Sequence, residues 1–208
     1  MVTARPKGKH TYAEYAAKPD DEKWELIDGV LYQMAAGASA RHQEVSENFG
    51  SLMGDHIRPR RLGRLYRPRF DLILPGETAV EPDLMFVSAA RRGIITTRGC
   101  EGPPDLVVEI LSPSNPRHDL ERKRELYVRH GIPEYLILEP DEETVLALSD
   151  PVIAASAGAY RSERLYGPGD VLTVAAIPGL AIAVADIFAE AWQHTGGRSP
   201  IISCQQGR

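Results

Sequence analysis

The chain has only two cysteines, Cys100 and Cys204, far apart and outside any Cys-x-x-Cys or Cys/His spacing. That leaves a disulfide framework or a structural zinc site without ligands. No run approaches 18 uninterrupted apolar residues, so no segment reads as a membrane span. Residues 1–11 carry Arg5, Lys7, Lys9 and His10 but no apolar signal-peptide core, and the expected location is cytoplasmic. Basic excess is missing too. The net charge is -5, without the global positive field of a non-specific nucleic-acid coat. No Gly-x-Ser-x-Gly elbow surrounds Ser112, and neither Gly-x-x-x-x-Gly-Lys nor Gly-x-Gly-x-x-Gly occurs. Serine hydrolysis and a nucleotide cofactor are therefore unsupported. Without repeats or linker-like stretches, residues 1–195 read as a single domain and 196–208 as a weakly specified tail.

What is present is a globular composition, 43% hydrophobic and 25% charged over 208 residues, enough for one sizeable core. Thr11 and Glu14 form a capping-box pattern that opens a short helix, closed at Lys18-Pro19-Asp20. Asp28-Gly29 between two apolar runs, 24–27 and 30–34, predicts a β-hairpin. A helix over 40–56 follows, with His42, Val45, Phe49, Leu52 and Met53 on one face. Strands are expected over 65–74 (broken by Pro68), 84–87 and 106–111, then a helix over 119–130 that stops at Gly131. A strand pair over 134–139 and 144–148, short strands near Tyr160 and Val171, and a helix over 184–194 complete the order. The mixture predicts an α/β (α+β) protein with a central mixed sheet flanked by helices.

Glu109 stands out within Leu106-Val107-Val108-Glu109-Ile110-Leu111, a run apolar enough for a strand covered on both faces. It shares a face with Val107 and Leu111, in the interior, where an unpaired carboxylate costs several kcal/mol. It therefore needs a cation, either a basic side chain or a metal. Asp83, at the mouth of the 84–87 strand, meets Glu109 if the two strands pair. Two such carboxylates make a hard-oxygen site suited to Mg²⁺ or Mn²⁺. Asp119, Lys123 and Tyr127 lie at i, i+4 and i+8 on the following helix, on a face turned toward the sheet. A lysine there orients a water or balances charge.

Each residue also has a plainer reading. Glu109 is a core carboxylate paired with Lys or Arg, Asp83 a Pro-Asp turn, Lys123 a solvated partner of Asp119. Asp119 serves the helix N-terminus, and His42 is a core histidine. Glu25 is read as structural. Two basic runs, Arg58, Arg60, Arg61, Arg64, Arg67, Arg69 and Arg117, Arg122, Arg124, Arg129, are either phosphate contacts or solvated faces.

Asp83 after Pro82, Glu109 ending Val-Val-Glu, Ser112-Pro113-Ser114, Asp119, Lys123, Tyr127, Gly131 and Glu134-Tyr135 together resemble the Uma-type restriction-endonuclease-like proteins of the PD-(D/E)xK superfamily. The Trp24-Glu25-Leu26-Ile27-Asp28-Gly29 hairpin, His42 and Pro178-Gly179-Leu180 also match, so the resemblance spans about residues 11–190. It implies a restriction-endonuclease-like fold with an N-terminal β-hairpin, and catalytic Asp83, Glu109 and Lys123. It further implies Mg²⁺ or Mn²⁺ on Asp83 and Glu109, with His42, Asp119 and Tyr127 as accessories. DNA as substrate, endonucleolytic cleavage and a homodimer come from the resemblance alone. One position departs from the superfamily signature: Leu111 stands where Glu-x-Lys has its lysine, and the Uma-type pattern takes it from the next helix as Lys123. The rival readings are a non-catalytic nucleic-acid- or protein-binding module of the same fold, and a structural oligomer with Glu109 paired in its core.

Overall fold

The computed structural model describes residues 3–5, 9–19, 21–34, 39–111, 117–153 and 158–190. The N-terminal part runs β1 (Thr3–Arg5), α1 (Tyr12–Ala16), β2 (Trp24–Ile27) and β3 (Val30–Gln33). Thr11 and Glu14 form the expected capping box on α1. Asp28 and Gly29 take positive φ of 52° and 79°, which turns β2 back onto β3. The strand β1 was not anticipated; it pairs antiparallel with β3.

Next come α2 (Ala40–Arg60), β4 (Gly63–Tyr66), β5 (Leu72–Leu74), β6 (Thr78–Val80), β7 (Leu84–Ser88), β8 (Cys100–Glu101) and β9 (Leu106–Ile110). After them lie α3 (Arg117–Arg129), β10 (Glu134–Glu139), β11 (Thr144–Val152), β12 (Ala159–Tyr166), β13 (Val171–Thr173), β14 (Ala181–Ala183) and α4 (Val184–Ile187). The central sheet is mixed, in the order β12-β11-β10-β9-β7-β4, with β9 and β10 parallel. A second sheet, β1-β3-β2-β6-β5-β8, extends the N-terminal hairpin, and β13 and β14 form a small ribbon.

Period-two alternation assigns each face of the central sheet to a different partner. Leu84, Phe86, Leu106, Val108 and Ile110 pack with Val45, Phe49, Met53 and Ile57 of α2. Met85, Val87 and Val107 pack with Leu126, Tyr127 and Val128 of α3 and with Leu72 and Leu74 of the second sheet. The sheet is thus covered on both sides, as the apolar run of β9 requires.

Several boundaries differ from expectation. The predicted 65–74 strand is two strands in two sheets, β4 and β5, because the chain leaves the central sheet after Tyr66. Helix α2 continues through Pro59 to Arg60 and ends at Arg61, whose φ of 54° stops it. Proline so near the helix end disturbs little of the hydrogen-bond ladder. The strand expected over 144–148 extends to Val152 because β12 pairs along it. Helix α4 ends at Ile187 rather than His194, and residues 191–194 lie outside those described. Gly131, at φ 68°, closes α3, with the Ile132 N–H donating to the Tyr127 carbonyl. Among the described residues, no helix is long and apolar enough to cross a membrane.

Candidate active site

The antiparallel register of β7 and β9 sets Leu84 opposite Val108 and Met85 opposite Val107. One step further, Asp83 comes opposite Glu109 at the end of the pair. Both are buried, at 8% and 2% exposure. Asp83 Oδ2 accepts a hydrogen bond from the Ile110 backbone N–H at 2.8 Å and lies 3.2 Å from His42 Nε2. Ser39 caps α2 by accepting from the His42 N–H, which starts the helix where His42 reaches Asp83. Burial alone would raise the Asp83 carboxyl; the hydrogen bond and charge of His42, the Ile110 N–H and Lys123 outweigh it and hold it below the usual range.

Glu109 follows Val107 on the face that meets α3. Lys123 and Tyr127, one helical turn apart, both reach its Oε1: Lys123 Nζ at 3.0 Å, and the Tyr127 hydroxyl donating at 2.7 Å. Tyr135 packs edge-on against Tyr127, with ring centroids 5.0 Å apart. Burial, together with the charges of Asp83 and Glu25, pushes the Glu109 carboxyl up to about 7 against the opposing pull of Lys123 and Tyr127. Burial and the Glu109 charge raise the Tyr127 phenol far above its ordinary value, so it remains an O–H donor.

Glu25 completes the cluster. It is fully buried on β2, a strand buried at all four positions, and its Oε1 lies 2.9 Å from Lys123 Nζ. The ion pair falls outside hydrogen-bond geometry: neither Glu25 oxygen finds a hydrogen-bond partner among the described residues, and nor does His42 Nδ1. Among the described residues, three buried carboxylates therefore face one lysine and one histidine. Such a pocket is short of positive charge, and its donors are hard oxygens that suit a small divalent cation. Among the described residues, no three His, Cys, Asp or Glu side chains already stand at metal-binding spacing.

The structure collects Asp83, Glu109 and Lys123 in one place, with His42 and Tyr127 beside them. Asp119 lies in the first turn of α3, with its side chain outside the described residues, as are Ser112, Pro113 and Ser114. Glu25 was read as structural; its partner is the lysine at the centre of the cluster. A signal was available, since a glutamate flanked by Trp24 and Leu26-Ile27 in an apolar strand must find a cation. Glu134 has another task, with its carboxylate accepting the N–H groups of Ala175 and Ala176 at 2.9 and 2.6 Å.

The second arginine run is largely engaged within the protein. Arg129 grips both Asp28 oxygens at 2.9 Å, Arg124 pairs with Glu163, and Arg122 lies 4.2 Å over the Tyr32 ring.

The Uma2 family model, described as "Putative restriction endonuclease", matches residues 10–185. Among solved structures, a "putative nuclease belonging to DUF820" from Anabaena variabilis superposes with a TM-score of 0.70 at 19% identity, over 86% of this chain and 97% of that one. At that identity the likeness shows the fold, which is restriction-endonuclease-like. No curated protein matches.

Proposed function

The chain belongs to the Uma2 family of restriction-endonuclease-like proteins, and on that footing we propose that it is a divalent-metal-dependent endonuclease that hydrolyses DNA phosphodiester bonds at the cluster of Asp83, Glu109 and Lys123. The observation that carries this reading is Lys123 held between Glu25 and Glu109, at 2.9 and 3.0 Å, with Asp83 opposite Glu109.

Asp83 and Glu109 would hold Mg²⁺ or Mn²⁺, and the charge deficit of the pocket fits that assignment. A cation bound there makes a water more acidic and takes up charge on a phosphoryl oxygen. The chain's own residues do the positioning. His42 and the Ile110 N–H orient the Asp83 carboxylate, and Tyr127 fixes the rotamer of Glu109 by donating to Oε1. Lys123 donates to the attacking water, directs its oxygen at phosphorus and balances the charge that develops in flight. A homodimer, which the family resemblance implies, would bring one such site to each strand.

One observation favours the second reading, a binding module without turnover. Lys123 already satisfies part of the charge of Glu25 and Glu109, and no three-ligand group stands ready for a metal among the described residues. Cleavage of supercoiled plasmid and single-stranded DNA with Mg²⁺ or Mn²⁺ separates the two. Wild type should nick or cut, and folded Glu109→Ala and Lys123→Ala should be inactive. A wild type inert with either metal on both substrates would favour the binding module, and an active Lys123→Ala would remove the lysine from the mechanism.

A further inference from the structure

We propose that the groove between the end of α2 and the edge strand β4 docks the phosphodiester backbone of DNA, at a place set apart from the buried carboxylate cluster. The groove has a volume of about 490 Å³ and is lined by Arg58, Arg61, Arg64 and Arg92, with Tyr66 and Ser88 among its walls. Among the described residues, no aspartate or glutamate lines it.

Several exposed and half-buried arginines elsewhere are neutralised locally: Arg67 by Glu47, Arg91 by Asp105, Arg98 by Glu101, Arg129 by Asp28. The four in the groove are exposed, and none pairs with a carboxylate among the described residues. Four unneutralised guanidinium groups around one groove, in a chain of net charge -5, repel one another unless an anion joins them. The C-terminal dipole of α2 favours Arg58 and Arg61 only.

Local structure builds the groove. Arg61 in the left-handed conformation ends α2 and turns the chain into β4. Gly63, lacking a side chain, lets β4 press onto Val87 and Ser88. Arg64 and Tyr66, two residues apart on β4, then share a face. Tyr66 stacks on Phe70 with centroids 4.6 Å apart, giving a flat aromatic wall beside the charges. Forked guanidinium groups grip phosphate oxygens in pairs.

The groove meets β7 at Ser88, whereas Asp83 precedes the other end of the strand. At roughly 3.3 Å per residue the two ends stand about 17 Å apart. With phosphates rising about 3.4 Å per nucleotide along one strand, the groove would hold backbone some five nucleotides from the scissile bond. The proposal thus rests on the nuclease reading for the identity of its ligand.

Binding is tested without cleavage, by fluorescence anisotropy of a labelled 24-base-pair DNA duplex in EDTA over a salt series. Wild type should bind with a salt-dependent Kd. The Arg61→Glu/Arg64→Glu double variant should raise Kd at least about tenfold at moderate salt, and flatten the slope of log K against log salt by about 2. Should reversal on β4 prevent folding, checked by circular dichroism, Arg58→Gln/Arg92→Gln should flatten the slope by a similar amount. Unchanged affinity and slope in a folded double variant, no duplex binding by wild type, or displacement by polyglutamate as effective as by unlabelled duplex would each overturn the proposal. Binding through the groove with no cleavage would leave the docking site standing and remove the endonuclease. Normal binding and cleavage with the groove reversed would do the opposite.

Discussion

Lys123 Nζ lies 2.9 Å from Glu25 Oε1, and this contact joins the N-terminal hairpin to the helix that follows the Glu109 strand. The lysine is 2% exposed and Glu25 is fully buried, so the pair sits where a lost partner is expensive. Removing one member of a buried ion pair typically costs about 3–5 kcal/mol, because the other charge stays desolvated.

Lys123→Met should therefore destabilise the protein by about 3 kcal/mol or more at pH 8 in urea denaturation. Glu25→Gln placed in the Lys123→Met background should recover part of that loss, with a coupling above about 1 kcal/mol. A Lys123→Met cost below about 1 kcal/mol would mean that the lysine is solvated in solution.

Gly63→Ala isolates packing at the β4 edge. A Cβ at this position would meet the Val87 carbonyl, the Phe86 ring and the Ser88 Cα, and the two backbone neighbours cannot turn aside. The expected loss is about 1–3 kcal/mol, with β4 pushed away from β7. Gly93→Ala is the control, since nothing lies within 4 Å of its added Cβ. It should stay within about 0.5 kcal/mol of wild type. Equal effects of the two changes would sink the packing account.

Most elements were legible because their signals are local. Asp28-Gly29 names its own turn, Thr11 and Glu14 cap each other, and the apolar run of β9, broken only by Glu109, announces burial on both faces. The clustering of Asp83, Glu109 and Lys123 was legible for a related reason: a carboxylate in such a strand must find cations, and the next helix offers one. What stayed hidden depends on long-range pairing. Nothing in 65–74 says that its halves join different sheets, and nothing near Arg92 says that it faces Arg58 and Arg64. Glu25 was half legible, since its burial could be inferred from Trp24 and Leu26 but its partner sits on α3.

His42 should act on the reaction through Asp83. Its Nε2 lies 3.2 Å from Asp83 Oδ2 and counts first among the influences that hold this carboxyl low against burial. With His42→Ala, burial is opposed only by the Ile110 N–H and Lys123, and the carboxyl rises. Wherever the wild type cleaves DNA, the acid limb of its pH–rate profile should move to higher pH in His42→Ala. The rate near neutrality should fall by roughly 10–100-fold, the usual loss when a ligand's supporting partner is removed. An unmoved acid limb would reduce His42 to a core residue.

Glu109 gives the sharpest pH signature, and its sign follows from linkage. Burial lifts its carboxyl from an ordinary 4.5 to about 7, so between those values the folded state holds a proton that the unfolded state has lost. In the absence of metal, this group's contribution to stability is therefore most favourable below pH 4.5 and declines as pH rises to 7. The difference across that window is on the order of 3 kcal/mol. Glu109→Gln should flatten this part of the curve. Asp83 works in the opposite sense: its depressed carboxyl stabilises above its unfolded value, and that stabilisation is lost as pH falls through the folded one. Divalent cations need the carboxylates ionised, so Mg²⁺ should raise Tm more at pH 8 than at pH 5.5. Thermal denaturation of wild type, Glu109→Gln and Asp83→Asn with and without Mg²⁺ reads out both effects. A gain from Mg²⁺ that is equal at the two pH values, or that survives in Asp83→Asn, would place the cation elsewhere on the protein. Loss of the gain in both variants would tie it to the pair that the β7–β9 register brings together.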